Sequence, residues 1–584
     1  MKLNFKGLSY FLIFSAITMH GSCQKSSTGQ TTTGIIKATD AAYIGGSRIA
    51  WDYSTLSKVS VAAGYNGYAR MIQLNDKSLL CTYESNGTIV TVKSFDAGKS
   101  WSAPVVVESG GNGINMAVPD ILLLQDGSVL VCYNPRPYNI SPDRKFGIRT
   151  KKSYDGGLTW MDARLLYEAD YLFANGCWEP SAIQIPSGEI QLYFANEGVY
   201  PNSDEQNISL IRSADNGLTW TKTPQVVSFR AGHRDGMPVP VLLNNGRDIV
   251  FSIEDNGYSN FKPYLIRNTI AANWETVVDA SSVNRDYALA DRISDSIYAG
   301  APYLRQLPDG ETILSYQGTE DRTNDISNSE MKVVIGNENA KLFNHKSVPF
   351  AIAGSKSGLW NSLSVIDNNT VVALTSTNAY SGDGTTEIWM IKGHVIPELT
   401  AANEKINIDG IFDEASWITQ FPVFVGHTGL TQARAQITYD NNFIYVLTVV
   451  TDNHVSISSN IESSDGVTVY IHDKNKTYNI LYKGIFSIFV SADNKVVVKE
   501  GDNGNWNQRE FTTLKSSTIK TANGYKQEIA IPWISIGGIP ALNTAIGFNF
   551  GLTENSGNTA ADYSETITSC PNNQPNTWMT LKLK

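Results

Sequence analysis

What this 584-residue chain has little of already narrows its class. Only 17 % of its residues are charged, and no basic run follows the N-terminal segment. With a net charge of −10, that argues against a nucleic-acid partner. Its 5 cysteines show no CxxC or other metal-ligand spacing, so no metal set is read from them. Cys81 and Cys132 stand in apolar runs and read as small core residues, and no disulfide is specified. The apolar stretch at residues 8–19 is too short to span a bilayer permanently.

What is present points to turns and strands. With 47 Gly, 21 Pro and 10 % aromatics, the composition is that of a turn-rich β protein, and the length calls for two domains. The first 23 residues read as an export signal. Lys2 and Lys6 precede the apolar core, and His20-Gly21-Ser22-Cys23 follows it. Two small residues before a cysteine resemble a relaxed bacterial lipobox, which would lipidate Cys23. The plainer alternative is an ordinary signal peptide containing a cysteine. Residues 24–45, rich in Ser, Thr, Gly and Gln at first, read as a flexible tether.

One motif, Ser-x-Asp-x-Gly-x-x-Trp, recurs three times. Its copies begin at Ser94, Ser153 and Ser213, spaced 59 and then 60 residues. A fixed period of this size marks a repeat architecture. Each copy reads as a turn in which Asp accepts backbone N–H groups, Gly takes positive φ, and Trp packs the turn down. A worn fourth copy ends at Trp274.

Six apolar hairpins share that period. They run from Arg70 to Glu84, Pro119 to Asn134, Pro180 to Asn196, Pro238 to Glu254, Ala301 to Gln317, and Asn361 to about Thr377. Hairpin, third strand, box turn and fourth strand make a four-stranded unit. Six such units predict an all-β six-bladed β-propeller over residues 46–397. A second set of alternating strands, residues 400–584, predicts a β-sandwich.

Strand direction then separates two faces. The boxes lie on one, and the starts of first strands and ends of second strands lie on the other. The second face carries Arg70, Glu84, Asp120, Asn134, Glu179, Asn196, Asp235, Glu254, Arg305, Gln317, Asn361 and Tyr380. Glu179 and Glu254 come from adjacent blades and both aim at the central cavity. Paired carboxylates there suit glycoside hydrolysis, one protonating the leaving oxygen and the other attacking or activating water. Glu84, at the same strand end as Glu254, is the rival carboxylate. Trp178 reads equally as a sugar platform or as core. Asp96, Asp155 and Asp215 read as structural.

The three boxes resemble the Asp-boxes of the sialidase superfamily. The segments Trp178-Glu179-Pro180, Asp235-Gly236-Met237-Pro238, Glu254 and Leu359-Trp360-Asn361-Ser362-Leu363 are more similar to the exo-α-1,5-L-arabinanase family. That resemblance implies a retaining glycosidase with Glu179 as acid/base and Glu254 as nucleophile. Arg70, Asp120, Trp178, Asp235, Arg305, Asn361 and Tyr380 are the expected substrate-binding residues. A sialidase is the first alternative, with Arg70 gripping a carboxylate and Tyr380 attacking, although Tyr68-Ala69-Arg70-Met71 lacks the Arg-Ile-Pro signature. A non-catalytic surface glycan-binding protein is the second. The segment Ile408-Asp409-Gly410 with Asp413, Glu414 and Trp417 resembles the opening of family 9-like carbohydrate-binding modules. Some of these modules bind calcium, and otherwise no cofactor is expected. The expected partners are a glycan and, through Cys23, an outer-membrane or cell surface; periplasmic or secreted placement is the alternative.

Overall fold

The computed structural model describes residues 41–42, 47–367, 370–396, 399–418, 421–426, 431–472, 476–477, 480–557, 561, 563–567, 572, 573, 575 and 578–584. All belong to one compact unit, Ala38–Lys584. Cys23 and Cys570 lie outside the described residues. No helix among those described is long and apolar enough to cross a membrane.

Six four-stranded antiparallel sheets form the propeller. Their inner strands are Asn66–Gln73, Ile114–Leu123, Cys177–Gln184, Asp235–Leu242, Ala299–Gln306 and Gly358–Val365. The paired second strands are Leu79–Ser85, Val129–Pro137, Ile190–Asn196, Asp248–Asp255, Thr312–Gly318 and Thr370–Thr377. These are the six hairpins read from the sequence. Packed faces explain their apolar content, since each sheet is covered by a neighbour on both sides.

Blades one to five are continuous in sequence, but blade six is not. Its outer strand is Arg48–Lys58, paired antiparallel with Glu387–Ile396 from the far end of the domain. This strand closes the ring by giving blade six its fourth strand. Alternation gives it two faces. Ile49, Trp51 and Tyr53 are buried in the core of blade six, whereas Ala50 joins the core of the second domain. The Arg48 guanidinium also donates to the Trp578 carbonyl at 3.1 Å, so the closing strand fastens the domains together. Upstream of it, Ala41–Ala42 pairs with Lys476–Thr477.

The second domain is one curled 13-stranded sheet whose hydrogen-bonded path folds back over a shared core. Val446, Ile529 and Ile531 contribute to that core from one part of the sheet, and Val469, Phe548 and Phe550 from another. Leu399–Asn403, the first strand after the propeller, runs parallel to both of its partners.

The boxes are self-contained turns. In the second, Asp155 accepts from the Thr159 N–H at 2.9 Å and hydroxyl at 2.5 Å, and from the Ser153 hydroxyl at 2.8 Å. Gly157, at φ +92°, donates its N–H to that serine at 2.8 Å, and an added Cβ there would lie 2.8 Å from Leu80. Asp96 and Asp215 repeat the pattern with Ser100 and Thr219. Each box follows a third strand, at the end of the blade opposite Glu84 and Glu254.

Desolvation raises the Asp155 carboxyl, but its hydrogen bonds to Thr159, Ser153 and Leu158 together outweigh this and lower it to about 2. A depressed carboxyl contributes stability above its unfolded value of about 4, which is lost as pH falls through about 2. Asp155→Ala is therefore expected to lower Tm at pH 6, with the gap to the parent closing between about pH 4 and 2. Melting curves across that range check this; a gap independent of pH contradicts it.

Candidate functional site

The site is organised by a fault that all six inner strands share. Each shifts register at one point, where one residue adopts left-handed backbone: Tyr68, Val118, Glu179, Met237, Ala301 and Trp360, with φ between 46° and 57°. The extra residue makes a β-bulge. In blades two to five the next residue is proline: Pro119, Pro180, Pro238 and Pro302. Proline has no N–H to give, so the ladder breaks there at little cost on a strand whose inner edge is free. Five of the six bulge residues are apolar, and Tyr68, Val118, Met237, Ala301 and Trp360 pack with Ala117 into one cluster. Glu179 is the charged exception.

The second strand of one blade supplies acceptors to the bulge of the next. Ser376 Oγ accepts from Tyr68 N–H at 3.1 Å, Glu254 from Ala301 N–H at 3.0 Å, and Gln317 from Trp360 N–H at 2.8 Å. Glu84 takes the N–H of Val118. In the ladder these acceptors pair with the residue just before their own blade's bulge: Glu84 with Gly67, Glu254 with Gly236, Gln317 with Gly300, Ser376 with Leu359. Glu84 and Glu254 thus do the same structural work.

Exposure separates them. Glu84 is 7 % exposed, whereas Glu254 and Glu179 are only partly buried. Burial pushes Glu254 up to about 7, and the nearby Glu179 carboxylate adds to this. Gly236 makes room for it, since a Cβ there would sit 3.1 Å from Glu254 Cγ. Glu84 is also raised to about 7 by burial, with Arg136 pulling the other way.

Glu179 is held by an arginine the sequence reading did not single out. Arg136 Nη2 lies 3.3 Å from Glu179 Oε1. Its Nε donates to Asn134 Oδ1 at 2.7 Å, its guanidinium covers Trp178 at 4.9 Å, and the Tyr68 hydroxyl is within its bonding reach. A second such pair, Glu197 with Arg234 and Gln206, stands beside it. Glu197 is 3 % exposed and raised to about 7, chiefly by burial. The only sequence signal for Arg136 was its place two residues after Asn134.

The other expected residues fall into three groups. Arg70 and Asp120 line a small, half-open pocket with Glu179, Ser181, Met237 and Tyr303. Arg70 donates to the carbonyls of Ala69, Trp360 and Asn361 at 2.8, 3.2 and 3.4 Å and covers the Tyr303 ring at 4.7 Å, which Arg305 also covers at 4.3 Å. Asp120 takes the Ser181 hydroxyl at 2.6 Å, while its Oδ1 is buried without a partner.

Trp178, Asp235 and Asn361 are interior groups. Trp178 is 5 % exposed, wedged between Phe146 and Phe173, so no face is free for a sugar. Asp235 is fully buried and gives both oxygens to Arg285, at 2.9 and 2.6 Å, with Ser228 at 2.5 Å. Asp255 bonds the same arginine and Arg230, completing a buried ion cluster that leaves Asp235 no oxygen for a ligand. Asn361 is 1 % exposed and donates to Gly358 at 3.2 Å.

Tyr380 lies elsewhere: its ring packs on Trp389 at 4.9 Å and its hydroxyl donates to the Ala351 carbonyl at 3.1 Å. The sialidase alternative, which pairs Arg70 with Tyr380, therefore lacks its tyrosine at the site.

In the second domain Asp452, Asp465 and Glu554 bring carboxylate oxygens within 4.8 Å of one another, all three buried. Asp465 accepts from Asn555 N–H at 2.6 Å, and burial, with the two neighbouring carboxylates adding, raises it to about 7. Asp452 takes the His454 N–H at 2.7 Å on one oxygen, while the other is buried without a partner. A hard cation with oxygen ligands fits this set.

Residues 71–251 match the BNR repeat-like domain family and residues 406–584 the carbohydrate family 9 binding domain-like family. The chain thus joins a BNR-type propeller to a family 9-like module. It is 33 % identical over 149 residues to an exoglucanase, XynX, of Acetivibrio thermocellus, covering 25 % of this chain and 13 % of that protein. It is likewise 33 % identical over 144 residues to endo-1,4-beta-xylanase A of Thermoanaerobacterium saccharolyticum, covering 24 % of this chain and 12 % of that one. The chain therefore spans only a small part of either relative. Among solved structures, a GH93 alpha-L-arabinofuranosidase of Fusarium graminearum is 18 % identical, TM-score 0.44, covering 58 % of this chain and 98 % of that chain. An alpha-L-arabinanase of Penicillium chrysogenum is 17 % identical, TM-score 0.44, covering 61 % and 98 %. A family 9 carbohydrate-binding module of Caldicellulosiruptor kristjanssonii is 20 % identical, TM-score 0.26, covering 32 % and 93 %.

A carboxyl raised by folding destabilises the fold once it ionises. For Glu84 the cost grows as pH rises from about 4.5 and is complete above about 7. Gln at that position keeps an oxygen for Val118 N–H and removes the charge. Glu84→Gln is expected to match the parent's unfolding free energy near pH 4 and to exceed it by about 1–3 kcal/mol at pH 8.5. Urea unfolding at the two pH values decides it; a variant less stable at pH 8.5 refutes the burial argument.

Proposed function

We propose that this protein is a glycoside hydrolase that works through Glu179 and Glu254. The observation that carries this is a pair of partly exposed carboxyls from adjacent blades beside the propeller axis, one raised to about 7 partly by the other. Two carboxyls so placed supply the two roles that glycosyl transfer divides between an acid/base and a nucleophile. In the retaining route, Glu179 gives its proton to the glycosidic oxygen as the C1–O bond breaks. Glu254 bonds to C1 as a carboxylate. Water, losing a proton to Glu179, then displaces Glu254 and restores the pair.

The substrate class we favour is an arabinan-type chain cut from its end, on the motifs around Glu179, Glu254 and Trp360. The family 9-like module would keep the enzyme on polysaccharide, and the two curated relatives, an exoglucanase and a xylanase by name, are in keeping with glycan work. Five carboxyls at the site, Glu84, Asp120, Glu179, Glu197 and Glu254, outnumber three arginines, Arg70, Arg136 and Arg234. That balance disfavours an anionic sugar, and with the placement of Tyr380 it argues against sialidase action. The chain would be exported and held at a membrane surface through Cys23.

Glu179→Gln and Glu254→Gln should each lower kcat on linear arabino-oligosaccharides by about 10²–10⁴. In the parent, kcat/KM should fall on the acid side with a midpoint near the value of about 7 at Glu254, as the nucleophile becomes protonated. Product assays on arabino-oligosaccharides and sialyl-lactose test both statements. No turnover of either leaves the surface glycan-binding reading in place.

Asp452, Asp465 and Glu554 would hold a structural divalent ion such as calcium in the module. Millimolar calcium should then raise Tm by mass action, an effect lost in Asp465→Asn. Because the ion requires ionised ligands, the rise should fade as pH drops below about 7, the value Asp465 has without it. Calorimetric scans with calcium or chelator check this; equal midpoints at pH 8 rule the ion out.

A further inference from the structure

The ring of left-handed residues contains one side chain that its structural duties do not explain. Ala301 and Val118 occupy equivalent positions, so the bulge itself asks for no large side chain. All six positions carry the backbone strain, which is of order 1–3 kcal/mol for a non-glycine residue, so strain does not single one out. Trp360 nevertheless puts an indole there, and unlike Tyr68, Val118, Met237 and Ala301 it remains partly exposed.

Its placement is specific. Blade six stands three blades from blade three, so in a six-membered ring Trp360 lies across the axis from Glu179. One face of the indole is covered by Tyr68, with ring centroids 4.6 Å apart and planes 13° from parallel. Among the described residues no other ring covers Trp360. Its backbone is fixed on both sides, the N–H on Gln317 at 2.8 Å and the carbonyl on Arg70 at 3.2 Å. Tyr68 is in turn within bonding reach of Arg136, which holds Glu179 at 3.3 Å. A fixed and partly exposed indole, backed by Tyr68, thus stands opposite a held carboxyl. Trp178, the indole beside Glu179 in sequence, is instead buried between Phe146 and Phe173.

We propose that Trp360, backed by Tyr68, is the platform on which an uncharged sugar ring lies by its C–H face, opposite Glu179. Apolar C–H groups and a flat indole exclude water from each other with little polar surface to desolvate. The platform also selects: a charged substituent on that face finds no partner on the indole and meets the acidic side of the site. This rests on reading the axial opening as a glycan site, and it makes Trp360 the residue that ranks neutral sugars.

The test uses the full chain with Glu179→Gln, so that binding is measured without turnover. Arabinobiose, xylobiose and cellobiose are titrated calorimetrically into that protein and into versions carrying Trp360→Phe or Trp360→Ala. The module is present throughout, so differences report the propeller alone. The expected result is a tenfold or larger loss of affinity for at least one disaccharide with Ala and a loss of at most threefold with Phe. Melting midpoints show that the variants are folded, and the Phe variant serves if Ala does not fold. Unchanged affinity in a folded Ala variant overturns the proposal. So does a tenfold loss in the Phe variant, or a parent that binds none of the three sugars. Loss of binding alongside a parent with no turnover would sink the hydrolase and keep the platform. Turnover that depends on Glu179 with affinity indifferent to Trp360 would do the reverse.

Discussion

The propeller's working face depends on one repeated hydrogen bond: a side-chain acceptor at the end of a second strand, taken by the N–H of a left-handed residue in the next blade. Without it, the four bulges that make it, at Tyr68, Val118, Ala301 and Trp360, would each leave a donor unpaired, at about 1–3 kcal/mol apiece. With it, neighbouring blades are registered to each other at the axis, and the side chains of six bulges are delivered to one level. Evolution of function on such a frame needs few changes. A carboxylate in place of an apolar bulge residue gives Glu179, and a glutamate in place of serine or glutamine as acceptor gives Glu254. The second residue keeps its structural bond while gaining a chemical use.

That double duty explains why two carboxyls that look alike in the chain differ in the fold. Glu84 and Glu254 make equivalent bonds and are both raised by burial. Arg136 stands beside Glu84, whereas the foremost charged neighbour of Glu254 is Glu179, and of the two only Glu254 is partly exposed. Position in the repeat set the bond, and the surrounding blades set the chemistry.

Much of this was legible in the chain because repetition turns local signals into a global one. Three boxes in phase and six hairpins of one period carried the propeller, and strand direction put the boxes and Glu254 at opposite blade ends. The bulges were half-visible, since Pro119, Pro180, Pro238 and Pro302 mark where a ladder cannot continue. The closing strand was not, because Arg48–Lys58 pairs with residues more than 300 positions away and carries no box. Arg136 was hidden for a related reason: its meaning lies in Glu179 and Trp178, 43 and 42 positions on, and in Tyr68 of another blade. Asp235 misled, since a strand-start aspartate reads the same whether it meets solvent or Arg285.

The closing strand also sets an order of events in time. It leaves the ribosome, and any export channel, before every blade, yet its partner strand is the last of the propeller to arrive. Until residues 387–396 follow, a strand carrying Ile49, Trp51 and Tyr53 must wait with its edge and apolar side chains unpaired. Ring closure is thereby deferred to the end of propeller synthesis, and the interval before it is when the chain is most open to holding factors or to misassociation.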